Sequence, residues 1–304
     1  MNLFKRVIVL ATFFLLITGG GLSLFGQCQV ENVDTSEFYD TIQEAIDDAS
    51  PGDTINVPAC TFTEHVVIDK SITLEGYHMF STTIRWGSSP ATDTEVIKIT
   101  ADNVTVKDLQ VTWTGSTSAF YQGIKVESDN NILKNIVVGG CPRSVYLYGS
   151  QYNTVSDCMI STTYTVNHEG VTIVGGSYNT VCNNFIASSS GVGGYGVVLV
   201  ATSQNTIVAN DIWNKNYGIY LLSAANNYIY YNNFKNNNTY AYTFLTSPNY
   251  NQWDDGVSQG NYWQNHTCTD SNNDGVCDNV YTIATGEVDN YPMKNQLNKD
   301  CSDI

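Results

Sequence analysis

Positive charge is what this sequence has least of: 13 Lys and Arg stand against 29 Asp and Glu in 304 residues, a net charge of −16. Such a surface repels phosphate, which excludes nucleic acid and anionic membrane surfaces as partners. Two of the cations, Lys5 and Arg6, fall in the N-terminal leader, so the rest of the chain is too cation-poor to hold a polyuronate unless calcium bridges the two. His and Met are equally sparse, at four each, and lie scattered. Tyr, by contrast, is abundant at 20.

What is present is a repeat, and it decides the architecture. With Asn179 as slot zero, matching positions fall at Val104, Asn130, Asn153, Asn205 and Asn227. Five residues on come Leu109, Asn135, Cys158, Asn184, Asn210 and Asn232. A second strand follows in each unit behind a small residue, at Gly123, Ser144, Gly170, Gly196, Gly218 and Ala241. Short β-branched runs broken by Gly, Ser and Asn, at a period too short to contain a helix, describe stacked coils of parallel strands. At about 4.8 Å per coil, roughly eight coils make a rod about 40 Å long. The recurring Asn residues are expected to pass amide hydrogen bonds from coil to coil.

The N-terminus "MNLFKRVIVLATFFLLITGGGLSLFGQC" has a basic start, an apolar run over 7–17 and small residues beyond it. It reads as an export signal over 1–26, with an uncleaved anchor as the alternative. Eight Cys in an exported chain indicate disulfides. Cys28 with Cys60 and Cys268 with Cys277 are the expected pairs, Cys158 is expected to be a buried free thiol, and Cys141, Cys182 and Cys301 have no assigned partner. Asn103, Asn237 and Asn265 begin glycosylation sequons.

"YDTIQEAIDDASPGDTINVPACTFTEHVVIDKSITLEGY", residues 39–77, resembles the cap helix and first coil that open pectin-lyase-like right-handed β-helices. The tail over 251–293, beginning "NQWDDGVSQGNYW", resembles the end segment of β-helix proteins of the NosD type. The resemblance implies an all-β, single-stranded right-handed parallel β-helix over 27–250. A cap helix over 41–50 and a capping segment over 251–304 would close its ends. It also raises copper, which draws on Cys, Met and His. Apart from the adjacent His78 and Met79 no such residues cluster, so the sequence gives no copper site. The paired-Asp and Gly-His-Gly signatures of pectin-degrading hydrolases are missing as well.

Three constellations are left. Asp108, Lys134 and Asp157, read as one slot on successive coils, set two carboxylates about 9.5 Å apart around an ammonium, a candidate hydrolase or lyase site. An exposed charge ladder, in which Lys134 offsets the two acids, is the plainer account of them. Insertions in the return arcs bring Trp113, Tyr121, Tyr164, His168, Tyr195 and Trp213 toward one face, where aromatic rings among hydroxyls suit sugars. "DSNNDGVCD" places Asp270, Asn272, Asp274, the Val276 carbonyl and Asp278 in calcium-loop order, with Asp289 as a late ligand. The expectation is thus a secreted, surface or periplasmic rod that binds extracellular polysaccharide without turnover and carries structural calcium. A polysaccharide lyase or glycoside hydrolase is the alternative.

Overall fold

Strand formation is dictated by the alternation of buried and half-buried residues, and in the computed structural model these strands wind into the expected coil. The structure describes residues 28–87, 94–115, 121–162, 168–189, 191–244, 250–284, 286–298 and 300–301; the expected export signal over 1–26 lies outside them. Three sheets of 10, 9 and 8 strands line the rod. Each coil contributes one strand to each in turn, and the parallel crossovers carry the usual right hand. The third sheet, whose strands are the longest, counts the coils at eight. Inward positions carry the core, with Ile55, Leu74, Val106, Leu133, Val155, Val181, Ile207 and Ile229 stacked in register down the first sheet.

The short corners explain the Asn slots. The corner into the first sheet turns on a left-handed residue at Asn103, Asn130, Tyr152, Tyr178, Gln204 and Asn226, with φ between 56° and 61°. The corner into the second sheet turns on Asp108, Asn135, Asp157, Asn183, Ala209 and Tyr231. The next residue in each case points inward. This corrects two assignments: slot zero of its coil is Asn131 rather than Asn130, and slot five is Ile136 rather than Asn135. In the last coil of the third sheet, Ala241 pairs with Ile219, so the residue matching Gly218 is Tyr240 rather than Ala241. Gly196 is required where it stands, since a Cβ there would lie 2.3 Å from the Gly218 carbonyl of the next coil.

Two internal ladders result. In the first, Asn131, Asn153, Asn179, Asn205, Asn227 and Asn251 each give backbone N–H and, from Nδ2, a side-chain N–H to Oδ1 of the next residue, and Asn251 gives both to Glu287 Oε1. In the second, Asn184, Asn210, Asn232 and Asn261 do the same and end on Asp289 Oδ2, at 2.7 Å from the Asn261 nitrogen. The indole N–H groups of Trp253 and Trp263 complete the two carboxylates, at 3.0 and 2.8 Å.

The ends are closed by different means. Helix α1, Ile42–Asp48, begins at the N-cap Thr41, inside the expected 41–50. Glu64 takes the N–H groups of Ile42 and Gln43, and Ile42, Ala45 and Ile46 seal the first coil. At the other end Phe234, Trp263 and Tyr281 stack face to face at 4.5 and 4.3 Å. Disulfides join Cys28–Cys60 and Cys268–Cys277 as expected, and a third, Cys182–Cys301, ties the tail to the rod. Cys141 and Cys158 are buried free thiols, pushed up to about 12 by burial.

Two outcomes follow from the ladders. Removing the amide in Asn184→Ala strands the Cys158 N–H and the Val155 carbonyl and leaves the Asn210 carboxamide oxygen with only the backbone N–H of residue 184, so the urea midpoint should fall by the equivalent of about 1–3 kcal/mol; an unchanged midpoint would contradict the ladder. Burial raises the Asp289 carboxyl to about 7, so the folded chain holds a proton there that the unfolded chain, near about 3.9, has released. This contribution is full below about pH 4 and is lost as pH rises through about 7. Measured against Asp289→Asn, the wild type should therefore lose stability from about pH 4 to about pH 7, and parallel profiles would refute the assignment.

Candidate functional site

The strand register sorts the expected site residues, and it does not assemble them as the spacing implied. Lys134 pairs with Lys107 and Ser156, one position before the corner that holds Asp108 and Asp157. Asn135 stands between the two acids and donates to Asp108, while Asn183 donates to Asp157 at 2.6 Å. Lys134 reaches Asp157 at 3.7 Å from an exposed position. The two acids are corner residues in amide contacts, Lys134 is a strand residue, and the ammonium does not sit between the carboxylates.

The arc aromatics also separate. Trp113 is 4% exposed and stacks on Tyr121 at 4.3 Å, inside the rod wall. His168 is 2% exposed and held below its ordinary value by burial and then by the Lys215 charge. Trp213 lies half-buried on the outer face of the second sheet against Phe185, and Tyr195 lies on the outer face of the third. Tyr164 falls outside the described residues. Near His168 the fully buried Lys215 gives Nζ to Thr162 Oγ1 at 2.6 Å. Its backbone N–H goes to Asn237 Oδ1, which makes the Asn237 sequon a buried packing element.

One face gathers aromatic and charged side chains in register, and of the expected arc residues Tyr195 stands on it. On the third sheet Lys98, Lys125, Tyr146, Thr172, Val198, Tyr220 and Tyr242 stand in one outward column, and Glu95, Gln122, Arg143, Glu169, Tyr195 and Tyr217 in the next. Tyr195 and Tyr217 stack at 5.3 Å, Tyr220 and Tyr242 at 5.1 Å, and the two stacks meet edge to face at 5.5 Å. Toward the N-terminal end the rings give way to ion pairs, Lys98–Glu127 at 3.2 Å, Lys125–Glu127 at 2.7 Å and Arg143–Glu169 at 2.9 Å. Burial opposes ionisation of Glu95, but hydrogen bonds from His65 and Thr94 and the Lys125 charge overcome it and hold the carboxyl at about 2. The signal was in the sequence: the third residue of "SVYL" and of "GIYL" points outward by strand alternation.

The loop over 270–278 is closed by its own bonds. Asp270 accepts from Gly275 N and pairs with Lys294 at 3.1 Å, Asp274 accepts from Val276 N, and Asp278 accepts from the Ser271 N–H and hydroxyl. Asn272 donates to Asp274. These oxygens face N–H and O–H donors rather than one shared centre. Asp289 terminates the second ladder, fully buried, and is no ligand of this loop.

This triangular coil with its asparagine corners is a pectin-lyase-like right-handed β-helix. The chain belongs to the family described as "Periplasmic copper-binding protein (NosD)", whose model matches residues 46–268. A pectin methylesterase solved in complex with a hexasaccharide is similar at 14% identity and a TM-score of 0.50, covering 74% of this chain and 91% of that one. The pectin methylesterase of Aspergillus niger is similar at 17% identity and a TM-score of 0.51, covering 72% and 83%. At such identities the likeness is one of fold. A comparison with curated proteins gave no match. The copper in the family's description finds no fitting donor set here: among the described residues no three His, Cys, Asp or Glu converge, Met79 is buried, and the two free thiols are held protonated. Three disulfides suit an oxidising, extracytoplasmic setting. Among the described residues no helix is long and apolar enough to cross a membrane.

Lys215 yields an outcome of its own. Burial lowers it to about 7, against about 10.4 in the unfolded chain, so its contribution to stability is present above about pH 10 and lost as pH falls through about 7. Lys215→Met should abolish that dependence and exceed the wild type in urea midpoint near pH 6, by roughly the cost of burying the ammonium. A variant with the wild-type profile would mean that Lys215 is hydrated.

Proposed function

We propose that the protein is an extracytoplasmic carbohydrate-binding rod whose glycan lies on the outer face of the third sheet. The observation that carries this reading is the crossed tyrosine lattice beside a row of ion pairs, both held in strand register. Sugar rings need an apolar face for their C–H patches and polar groups at the rim for their hydroxyls. Perpendicular phenol stacks offer ring faces and hydroxyls together, and Tyr242 and Phe244 at 37% and 48% exposure leave the lattice open. The three cations and three anions of the row, Lys98, Lys125, Arg143, Glu95, Glu127 and Glu169, balance in charge. On a protein of net charge −16 this favours a neutral glycan over a polyuronate.

Turnover by a lyase or hydrolase is the competing reading. A glycosidase acid needs a raised carboxyl, and Glu95 is held ionised instead. Tyr220→Ala with Tyr242→Ala should weaken retention on neutral polysaccharide in affinity electrophoresis by at least about tenfold, with an unchanged circular dichroism spectrum. Unaltered retention would remove the face from the account, and release of reducing ends or unsaturated sugars by the wild type would replace binding with catalysis.

For the 270–278 loop we infer calcium as a competitor of Lys294, in a loop that the Cys268–Cys277 bridge already closes. Calcium at about a millimolar should raise the Tm slightly and protect residues 261–291 from proteolysis, and Asp274→Ala should erase both effects. Equal responses from wild type and variant would leave the loop as a turn.

A further inference from the structure

At its N-terminal end the ten-strand sheet stops at the strand Glu37–Tyr39, which pairs on one side only, antiparallel to Val30–Asn32. The Val33 N–H goes to the Thr54 carbonyl, so by the alternation of an antiparallel ladder Glu31 turns its own N–H and C=O toward Asn56. The edge strand is then bonded through Tyr39 and Glu37, and the N–H and C=O of Phe38 between them point away from the sheet. No hydrogen-bond partner for them is present among the described residues, and the Phe38 ring is 59% exposed. Free main-chain groups beside an exposed ring are a template for one more strand.

Carboxylates flank this edge on both faces. On the outer face Phe38, Glu31, Asn56 and Glu75 stand in one row across four strands, and together with Tyr77 they line a hollow of about 350 Å³. On the inner face Tyr39, whose hydroxyl donates to Glu37 and Asp48 at 2.9 and 2.6 Å, lies beside Glu44 and Asp47 of α1 in a more open hollow. Among the described residues no Lys or Arg lines either hollow, and of these acids Glu75 alone forms an ion pair, with Lys107 at 3.0 Å. An edge with this charge turns away another copy of the chain, whose net charge is −16, and is complementary to a cationic strand.

We propose that this edge takes up an extended basic peptide, a lysine- or arginine-rich segment of another protein, which joins the sheet beside Glu37–Tyr39. Its backbone bonds to the Phe38 N–H and C=O. Side chains alternate along a strand, so the residue opposite Phe38 lays its stem along the ring toward Glu31, and its two neighbours carry their cations to Glu37 and Asp47 on the other face. The site is independent of the glycan reading, since it shares no residue with the third sheet.

A fluorescein-labelled, amidated pentalysine tests it on the intact protein. It should bind saturably, and pentaglutamate should not. Methylating the peptide's backbone nitrogens keeps the charge but removes the donors that strand addition needs, so affinity should fall at least about tenfold. In the complex the Phe38 amide should exchange with deuterium more slowly than in the free protein. Glu37→Gln with Asp47→Asn should weaken binding at low salt by at least about tenfold and flatten its salt dependence. Phe38→Pro, which loses the edge-facing N–H but no ladder bond, should bind more weakly than Phe38→Ala, and the methylated peptide carries that comparison if the proline variant misfolds. No saturable binding, equal affinity for the methylated peptide, an unchanged Phe38 exchange rate, or undiminished binding by the acid variant would overturn the proposal.

Discussion

The direction of the asparagine hydrogen bonds is the constraint on which the rest of this rod depends. Every rung donates toward the C-terminal end, from backbone N–H and Nδ2 of one coil to Oδ1 of the next. A one-way chain of this kind must stop on a group that accepts without passing the bond on. Another amide would leave a donor facing the cap, in a space where an unpaired N–H is costly. A carboxylate meets the need, and the strand Glu287–Asp289 supplies two of them, one per ladder. Both Asp289 oxygens are engaged, Oδ2 by the ladder donors and the Trp263 indole and Oδ1 by the Tyr291 N–H. The cap is therefore joined to the interior of the coil as well as covering its last edge.

That interior fixes the exterior. Left-handed corner residues set where each strand begins, so the outward side chains of successive coils fall into columns one strand spacing apart. Chemistry repeated at one strand position becomes a surface: phenols and ion pairs on the third sheet. The same regularity explains why the corner acids Asp108 and Asp157 do not pair across Lys134. A change of one position moves a residue from the corner onto a strand.

The sequence made the coil readable wherever a single Asn followed a corner, as at Asn153, Asn179 and Asn205. It was ambiguous at the doublet of Asn130 and Asn131, because Asn suits both the left-handed bend and the inward slot that follows it. The rule of a small strand leader failed at Tyr240 for a physical reason: a Cβ at Gly218 would meet the Tyr240 carbonyl at 2.5 Å, but Tyr240 lies on the last strand of the third sheet, with no further coil to crowd it. The spacing of the arc aromatics does not say whether a ring points in or out, and Trp113 points in. The roles of Glu287 and Asp289 were not legible, since their partners Asn251 and Asn261 lie 36 and 28 residues away.

Hydrogen exchange along the rod tests the central claim most directly, comparing wild type with a variant that replaces both terminal acceptors, Glu287→Leu with Asp289→Leu. If the ladders run one way into those carboxylates, protection should fall first around Asn251 and Asn261 and then, by smaller steps, around Asn227, Asn232, Asn205 and Asn210, while the N-terminal coils keep theirs. Loss of protection confined to residues 280–291, with the asparagine corners exchanging as in the wild type, would contradict it.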